Sequence, residues 1–272
     1  MRSIVAIMLI LVLPACKNIH KEHTVYVQHG DIQLANPRLE TTNVIIDSIV
    51  KITATLPLED VKIHYTKDGS EPTEASLTYE DTISVSEPGT YHFKAFHPHF
   101  RASDKETLSF YKKGITVDTI AFLSPLNMQY PGEGEKTPVN HKKGTSNFRD
   151  GQWIGVTEPL EAILTFKNNV FIASVDIGYL VNTSAWIFPI QDMAMAISQD
   201  GINFTDLNIS VTFEEPETHV SKQENIRIPI SKEVKKIKIK IWNTPSIPEW
   251  HDGKNTPAWL FTDEWIFNAK NN

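Results

Sequence analysis

The feature that most narrows the folds open to this chain is alternation. From about Pro37 onward, apolar and polar residues change places at every second position in short runs parted by turn residues. Val61, Ile63 and Tyr65 share one face of such a run, and Tyr91, Phe93 and Ala95 share one face of a later run. The clearest is Val234 to Trp242, where Ile237, Ile239 and Ile241 point one way and Lys236, Lys238 and Lys240 the other. A period of two places successive side chains on opposite faces of a strand, so one face enters a core and the other meets water. The lysine row reads as a solvated face that also discourages edge-to-edge pairing, not as a nucleic-acid patch. Ala173 to Val181 and Met193 to Ser198 read as further strands, and Lys67-Asp68-Gly69, Glu87-Pro88-Gly89 and Asp200-Gly201 as turns. No segment of useful length carries a helical period. The spacing predicts an all-β chain built of antiparallel sandwiches.

The first residues have a different character. Arg2 precedes an apolar run from Ile4 to Leu13, closed by Leu13-Pro14-Ala15-Cys16. A membrane span needs about 20 apolar residues, so this run is too short to be one and reads as a secretory signal. The phrase resembles the lipobox of bacterial lipoproteins. That resemblance implies a signal peptide over 1–15, lipidation of Cys16 as the mature N-terminus, and stable anchoring to a lipid bilayer. The cell envelope is then the expected location, on the outer membrane, facing the periplasm or the surface. Cys16 is the only cysteine, so no thiol remains for disulfides or a thiolate metal site. Residues 16–34 read as the lipidated cysteine and a tether, whose His20, His23 and His29 fit no metal-ligand spacing. A formal net charge of −7 makes nucleic acid an unsuitable partner.

All six tryptophans lie beyond position 152, at Trp153, Trp186, Trp242, Trp250, Trp259 and Trp265. Three stand in loop-like phrases: Ser184-Ala185-Trp186-Ile187-Phe188-Pro189, Pro248-Glu249-Trp250-His251-Asp252-Gly253 and Pro257-Ala258-Trp259-Leu260-Phe261. A flat ring takes the apolar face of a pyranose while short polar side chains bond its hydroxyls, so such phrases suit a sugar. Trp250 and His251, set between Pro245, Pro248 and Gly253, lead the candidates for carbohydrate binding; Trp186, Asp252 and Trp259 follow. Trp153 and Trp259 also fit regular strands, where tryptophan is mostly buried.

Ile63-His64-Tyr65-Thr66-Lys67-Asp68-Gly69-Ser70-Glu71-Pro72-Thr73, then Leu77-Thr78-Tyr79 and Gly89-Thr90-Tyr91-His92-Phe93-Lys94-Ala95, resembles the chitobiase/β-hexosaminidase C-terminal module. That resemblance implies an immunoglobulin- or fibronectin-like β-sandwich over 35–113, with Asp68 and Glu71 in turn and surface roles. A second series follows: Gly144 to Trp153, Ile177-Gly178-Tyr179-Leu180, Trp186 to Pro189, Ser198 to Phe204, Trp250-His251, and Ala258 to Glu264. It is similar to the discoidin-like (coagulation factor type C-like) domain at the end of bacterial family 20 β-hexosaminidases and, more distantly, to family 32 carbohydrate-binding modules. This implies a galactose-binding-type jelly roll over 114–272. In such domains an acidic residue near this position helps to hold a structural calcium, a role the resemblance gives to Glu264. Where family members show Leu-Thr-Asp-Gly, this chain has Pro138-Val139-Asn140-His141, so Asn140 replaces the aspartate as the second candidate ligand for Ca2+.

Those hexosaminidases also carry a central barrel with a catalytic Asp-Glu pair, for which this chain has no room, and Asp263-Glu264 is not that pair. Nucleophile elbow, zinc-protease and phosphate-loop motifs are absent from the sequence. The reading is a non-catalytic, membrane-anchored protein that binds amino-sugar or galactose-type glycans. The alternative is an assembly subunit whose loop aromatics dock other proteins of a glycan-utilisation complex, since aromatic anchors suit protein interfaces equally well. A hexosaminidase-like glycosidase, or an accessory of one, ranks below both.

Overall fold

The computed structural model describes residues 29–270; Cys16 and most of the tether lie outside them. The first region carries eight strands: β1 (Arg38–Thr41), β2 (Ile45–Ile46), β3 (Val50–Thr55), β4 (Lys62–Thr66), β5 (Leu77–Thr78), β6 (Ile83–Val85), β7 (Gly89–Phe96) and β8 (Glu106–Lys112). They form a three-stranded sheet, β1-β3-β6, and a five-stranded sheet, β2-β8-β7-β4-β5. Ile52 and Val85 from the first meet Ile63, Phe93, Ala95 and Phe110 from the second in one buried cluster. The alternation read in the sequence places these residues inward, and the rings of the paired residues Tyr65 and Phe93 stack 5.5 Å apart. Asp68-Gly69 turns as expected: Gly69 adopts φ +77°, and the Asp68 carboxylate accepts the Ser70 amide at 3.1 Å.

The second region carries β9 (Thr119–Phe122), β10 (Ile154–Val156), β11 (Leu160–Asn182), β12 (Asp192–Ser198), β13 (Thr205–Asp206), β14 (Ser221–Trp242) and β15 (Leu260–Asn268). The strands read at Ala173–Val181 and Val234–Trp242 are in fact halves of β11 and β14, which run for 23 and 22 residues. A straight strand of that length would span roughly 75 Å, far more than a domain of this size. The two therefore bend together, with register shifts between Thr165 and Val170 and between Ile172 and Ser174. The first half of β11 has β9 as its other neighbour and the second half has β15, so one sheet folds over itself into two layers. Leu164, Phe166, Ile237, Ile239, Trp265 and Phe267 are among the side chains sealed between the layers. The chain is all-β, and among the described residues the helical turns are 3-10 segments at His29–Asp31, Gly134–Val139 and Thr183–Ala185. No helix among the described residues is long and apolar enough to cross a membrane.

Val234–Trp242 is not an edge, because it pairs with β11 on one side and β12 on the other. Its lysines therefore guard no edge, and they are only half exposed: Lys240 reaches Glu161 at 3.4 Å and lies 5.0 Å from the Trp242 ring centroid.

The two regions touch through specific contacts. Where they join, the start of the second region is seated on its own last strand: Ile115 N–H donates to Phe267 O at 2.7 Å, and a Cβ on Gly114 would come within 2.8 Å of the Phe267 backbone. Asn225 donates to the Tyr111 hydroxyl at 2.7 Å, and Asn43 to the His141 carbonyl at 3.0 Å.

The layering also decides which loops meet. Leu260 pairs with Val156 on one side, while Phe261 pairs with Leu180 on the other. Asp192 stands opposite Trp242. The connections 157–159, 183–191 and 243–259 therefore gather at one end of the jelly roll.

Candidate functional site

At that end two tryptophans stand out of the protein. Among the described residues, the large hydrophobic side chains that remain exposed include only two aromatic rings, Trp186 at 43% and Trp250 at 37%. Trp186 is placed by a tight reversal: Asn182 and Ile187 exchange backbone hydrogen bonds at 2.9 and 3.0 Å, and the Trp186 amide donates to Thr183 O at 2.8 Å. This leaves Trp186 at φ +63°, a left-handed conformation that bulky residues adopt rarely and at a cost of about 1–3 kcal/mol. The neighbouring chain fixes it there, since the Trp186 carbonyl accepts the Trp259 amide at 2.9 Å. Its indole lies against Gly253, where an added Cβ would meet the ring at 3.0 Å. Trp250 lies within a turn closed by the His251 amide donating to Pro248 O, and its own indole N–H donates to Pro216 O at 2.8 Å.

His251 does not offer its imidazole to a ligand. It is 3% exposed, and both ring nitrogens are engaged. Nδ1 accepts the Gly253 amide at 2.9 Å, which assigns the proton to Nε2, and Nε2 then donates to Thr183 O at 2.8 Å. The ring stands edge-on to Trp186 and Trp250, with centroids 6.2 and 5.2 Å away, and so acts as the post between them. The sequence gives residue type but not burial, and a histidine in a proline- and glycine-rich phrase reads as exposed until its partners are known. Asp252, next to this post, is exposed. Trp259 is half-buried and packs edge-on against Tyr130 at 5.1 Å, so it supports the ledge from behind. Trp153 is buried, as its strand pattern suggested, with its indole N–H on Thr145 O.

The linear reading missed two members of this constellation. His219, from the 207–220 connection, brings its ring to 5.3 Å from Trp250, and Phe188 packs beneath at 6.3 Å. His219 is distant in sequence from both tryptophans and carries no motif; the Val220 amide bond to the Thr183 hydroxyl at 3.0 Å is what draws its loop in.

The pair proposed for calcium is held differently. The Asn140 carbonyl oxygen accepts the Lys142 amide at 2.9 Å, and its amide donates to Glu133 and Gln152, each at 3.1 Å. Glu264 accepts the His141 amide at 2.9 Å and faces its ring at 3.3 Å, while the adjacent Asp263 pairs with Lys143 at 2.6 Å. Burial pushes both carboxyls above their ordinary pKa, opposed by Lys143 at Asp263 and by His141 at Glu264. Calcium takes about six to eight oxygens, several of them anionic. Here the oxygens of Asn140 and Glu264 are taken up by N–H donors, and an ammonium already neutralises Asp263. Among the described residues, no three His, Cys, Asp or Glu side chains gather at a metal-binding distance. The donor set does not fit a calcium ion, because Lys143 supplies the positive charge from within the chain.

The fold and the ledge define a class, an all-β chain whose terminal jelly roll displays aromatic rings at one loop end. Comparison with known proteins adds detail. Residues 46–107 match the chitobiase/beta-hexosaminidase C-terminal domain, within the two sheets of the first region. The matched family is thus a C-terminal domain and not a catalytic one. No curated protein matches the chain. Among solved structures, the chain is similar to CpGH89CBM32-5 from Clostridium perfringens, in complex with GalNAc-beta-1,3-galactose, at 16% identity and a TM-score of 0.35, over 56% of this chain and 94% of that one. It is also similar to CpGH89CBM32-4 from the same organism, in complex with GlcNAc-alpha-1,4-galactose, at 12% identity and a TM-score of 0.34, over 55% of this chain and 88% of that one.

Proposed function

We propose that this chain is a non-catalytic glycan-binding protein that receives a sugar on the Trp186–Trp250 ledge. One observation carries the reading: two indoles, 43% and 37% exposed, flank a buried histidine, although covering their remaining apolar surface would stabilise the fold. Left-handed backbone at Trp186 and a glycine beneath its ring maintain that exposure. Indole faces suit the apolar face of a pyranose, and Asp252, Ser184 and His219 supply polar groups at the rim for its hydroxyls. The ligand class is an amino-sugar or galactose-type glycan, and the lipid anchor at Cys16 would hold the protein on the outer membrane. The same rings would also suit a partner protein of a glycan-utilisation complex.

Titration calorimetry with N-acetylglucosamine, galactose and their oligomers tests the proposal. Saturable heat that falls at least about tenfold in affinity in Trp250→Ala supports it. Flat traces throughout, together with a protein captured from membranes through the same residue, would replace the sugar with a protein partner.

A further inference from the structure

A second hollow, of about 400 Å³, opens beside the ledge between the chain around Gln129–Gly132 and the chain around Phe148–Gly151. Its outer loop is held firmly. The Asp150 carboxylate accepts the Thr145 amide at 2.5 Å and the Gln152 amide at 2.8 Å, and the Asn147 side chain accepts the Arg149 amide at 3.1 Å. Gly144 lies so close to the Trp153 indole that a Cβ there would overlap the ring. Gly151, at φ +83°, leaves open space in front of the backbone, where a Cβ would meet nothing within 4 Å.

On this fixed loop the Arg149 guanidinium lies 4.7 Å from the Phe148 ring centroid. It makes no ion pair among the described residues, although the chain holds 33 acidic residues against 26 basic ones. Its neighbour Asp150 is committed to two backbone amides and does not neutralise it. By contrast, Arg227 holds Asp176 through two bonds of 2.6 and 2.7 Å, and Lys142 and Lys143 each hold a carboxylate. Tyr130 forms the adjoining wall, 5.8 Å from Phe148, and its hydroxyl accepts from the Gln129 side-chain Nε2 at 3.2 Å.

An exposed guanidinium stacked on an aromatic ring keeps its planar fork available, and that fork matches a carboxylate through two parallel hydrogen bonds. Tyr130 also touches Trp259, whose amide is bonded to Trp186, so the hollow and the ledge are joined through one residue. We propose that the hollow is an acidic-sugar subsite in which Arg149 binds the ring carboxylate of a hexuronic acid unit, while the tryptophan ledge holds a neighbouring unit of the same glycan. The inference deepens the glycan-binding reading and rests on it.

Two trisaccharides that differ only at C6, trigalacturonate and neutral galactotriose, separate the possibilities when titrated into the full chain. The expected result is uronate binding at least about tenfold tighter than neutral binding, with the preference shrinking as salt is raised. Arg149→Gln should erase that preference, costing trigalacturonate at least about tenfold more affinity than galactotriose, with an unaltered melting temperature. Equal affinity for the two sugars, or an equal loss for both in Arg149→Gln, overturns the inference. Galactotriose binding that depends on Trp250, with no gain from the carboxylate, overturns the subsite and leaves the ledge standing. Uronate binding that depends on Arg149 but survives Trp250→Ala sustains the subsite and overturns the ledge.

Discussion

In the first region the large hydrophobic side chains left exposed, Ile49, Leu58 and Leu77 among them, are aliphatic. In the jelly roll the connections 183–191 and 243–259 carry the exposed rings. The contrast follows from strand length. The short strands of the first region spend their aromatics inside, as with Phe93 and Phe110. Two long bent strands instead bring several loops to one end, where a ring can be supported from below by residues far away in sequence. His64 and His92 in the first region are buried in strands, whereas the buried His251 of the jelly roll holds two loops and a pair of indoles in place.

The regions also differ in how they use charge, and this gives the largest predicted effect. Lys143 and Asp263 are almost fully buried, while Lys94 and Glu71 in the first region meet at the surface. Removing one member of a buried pair strands the other in a poorly solvated site at about 3–5 kcal/mol, whereas surface pairs contribute little. Asp263→Ala should therefore lower unfolding stability in urea by about 3–5 kcal/mol, and Glu71→Gln should change it by no more than the error of the measurement. Similar losses at both sites would break the comparison.

A smaller effect is expected from Gly253→Ala. The added methyl would press on the Trp186 ring at 3.0 Å and tilt the ledge, so sugar affinity should fall roughly tenfold. Stability should fall by only about 1 kcal/mol, because a few tenths of an ångström of shift relieves the contact. Unchanged affinity in that variant would mean that Trp186 does not touch the ligand.

The smallest effect is an alkaline pH response, to which Tyr91 and Tyr111 of the first region, also raised by burial, contribute beside Tyr179 of the jelly roll. Burial pushes the Tyr179 hydroxyl up to about 12 from an ordinary 10. A group whose proton is held more tightly in the folded state contributes stability in full below its unfolded pKa and loses it as pH rises to the folded one. The melting temperature should therefore decline between about pH 10 and 12, and Tyr179→Phe should flatten that decline. An identical slope in the variant would show that another group controls the alkaline limit.

Much of the fold was legible in the sequence because a period of two and the chemistry of Asp-Gly are local properties. The inward faces at Ile63, Phe93 and Ile237–Ile241, the Asp68-Gly69 turn and the lack of long helices all follow from neighbours along the chain. The continuation of Ala173–Val181 and Val234–Trp242 into strands of 23 and 22 residues was not legible, since bulged stretches such as Lys167–Asn169 break the pattern yet pass between layers that pair on both sides. The site divides in the same way. Sequence determined that all six tryptophans lie in the jelly roll. Only the tertiary structure decided that Trp186 and Trp250 are exposed, that His251 is a buried post, that Asp263 is matched by Lys143 and that Arg149 has no acidic partner among the described residues. Exposure and charge pairing are set by atoms distant along the chain, brought together when one sheet folds over itself.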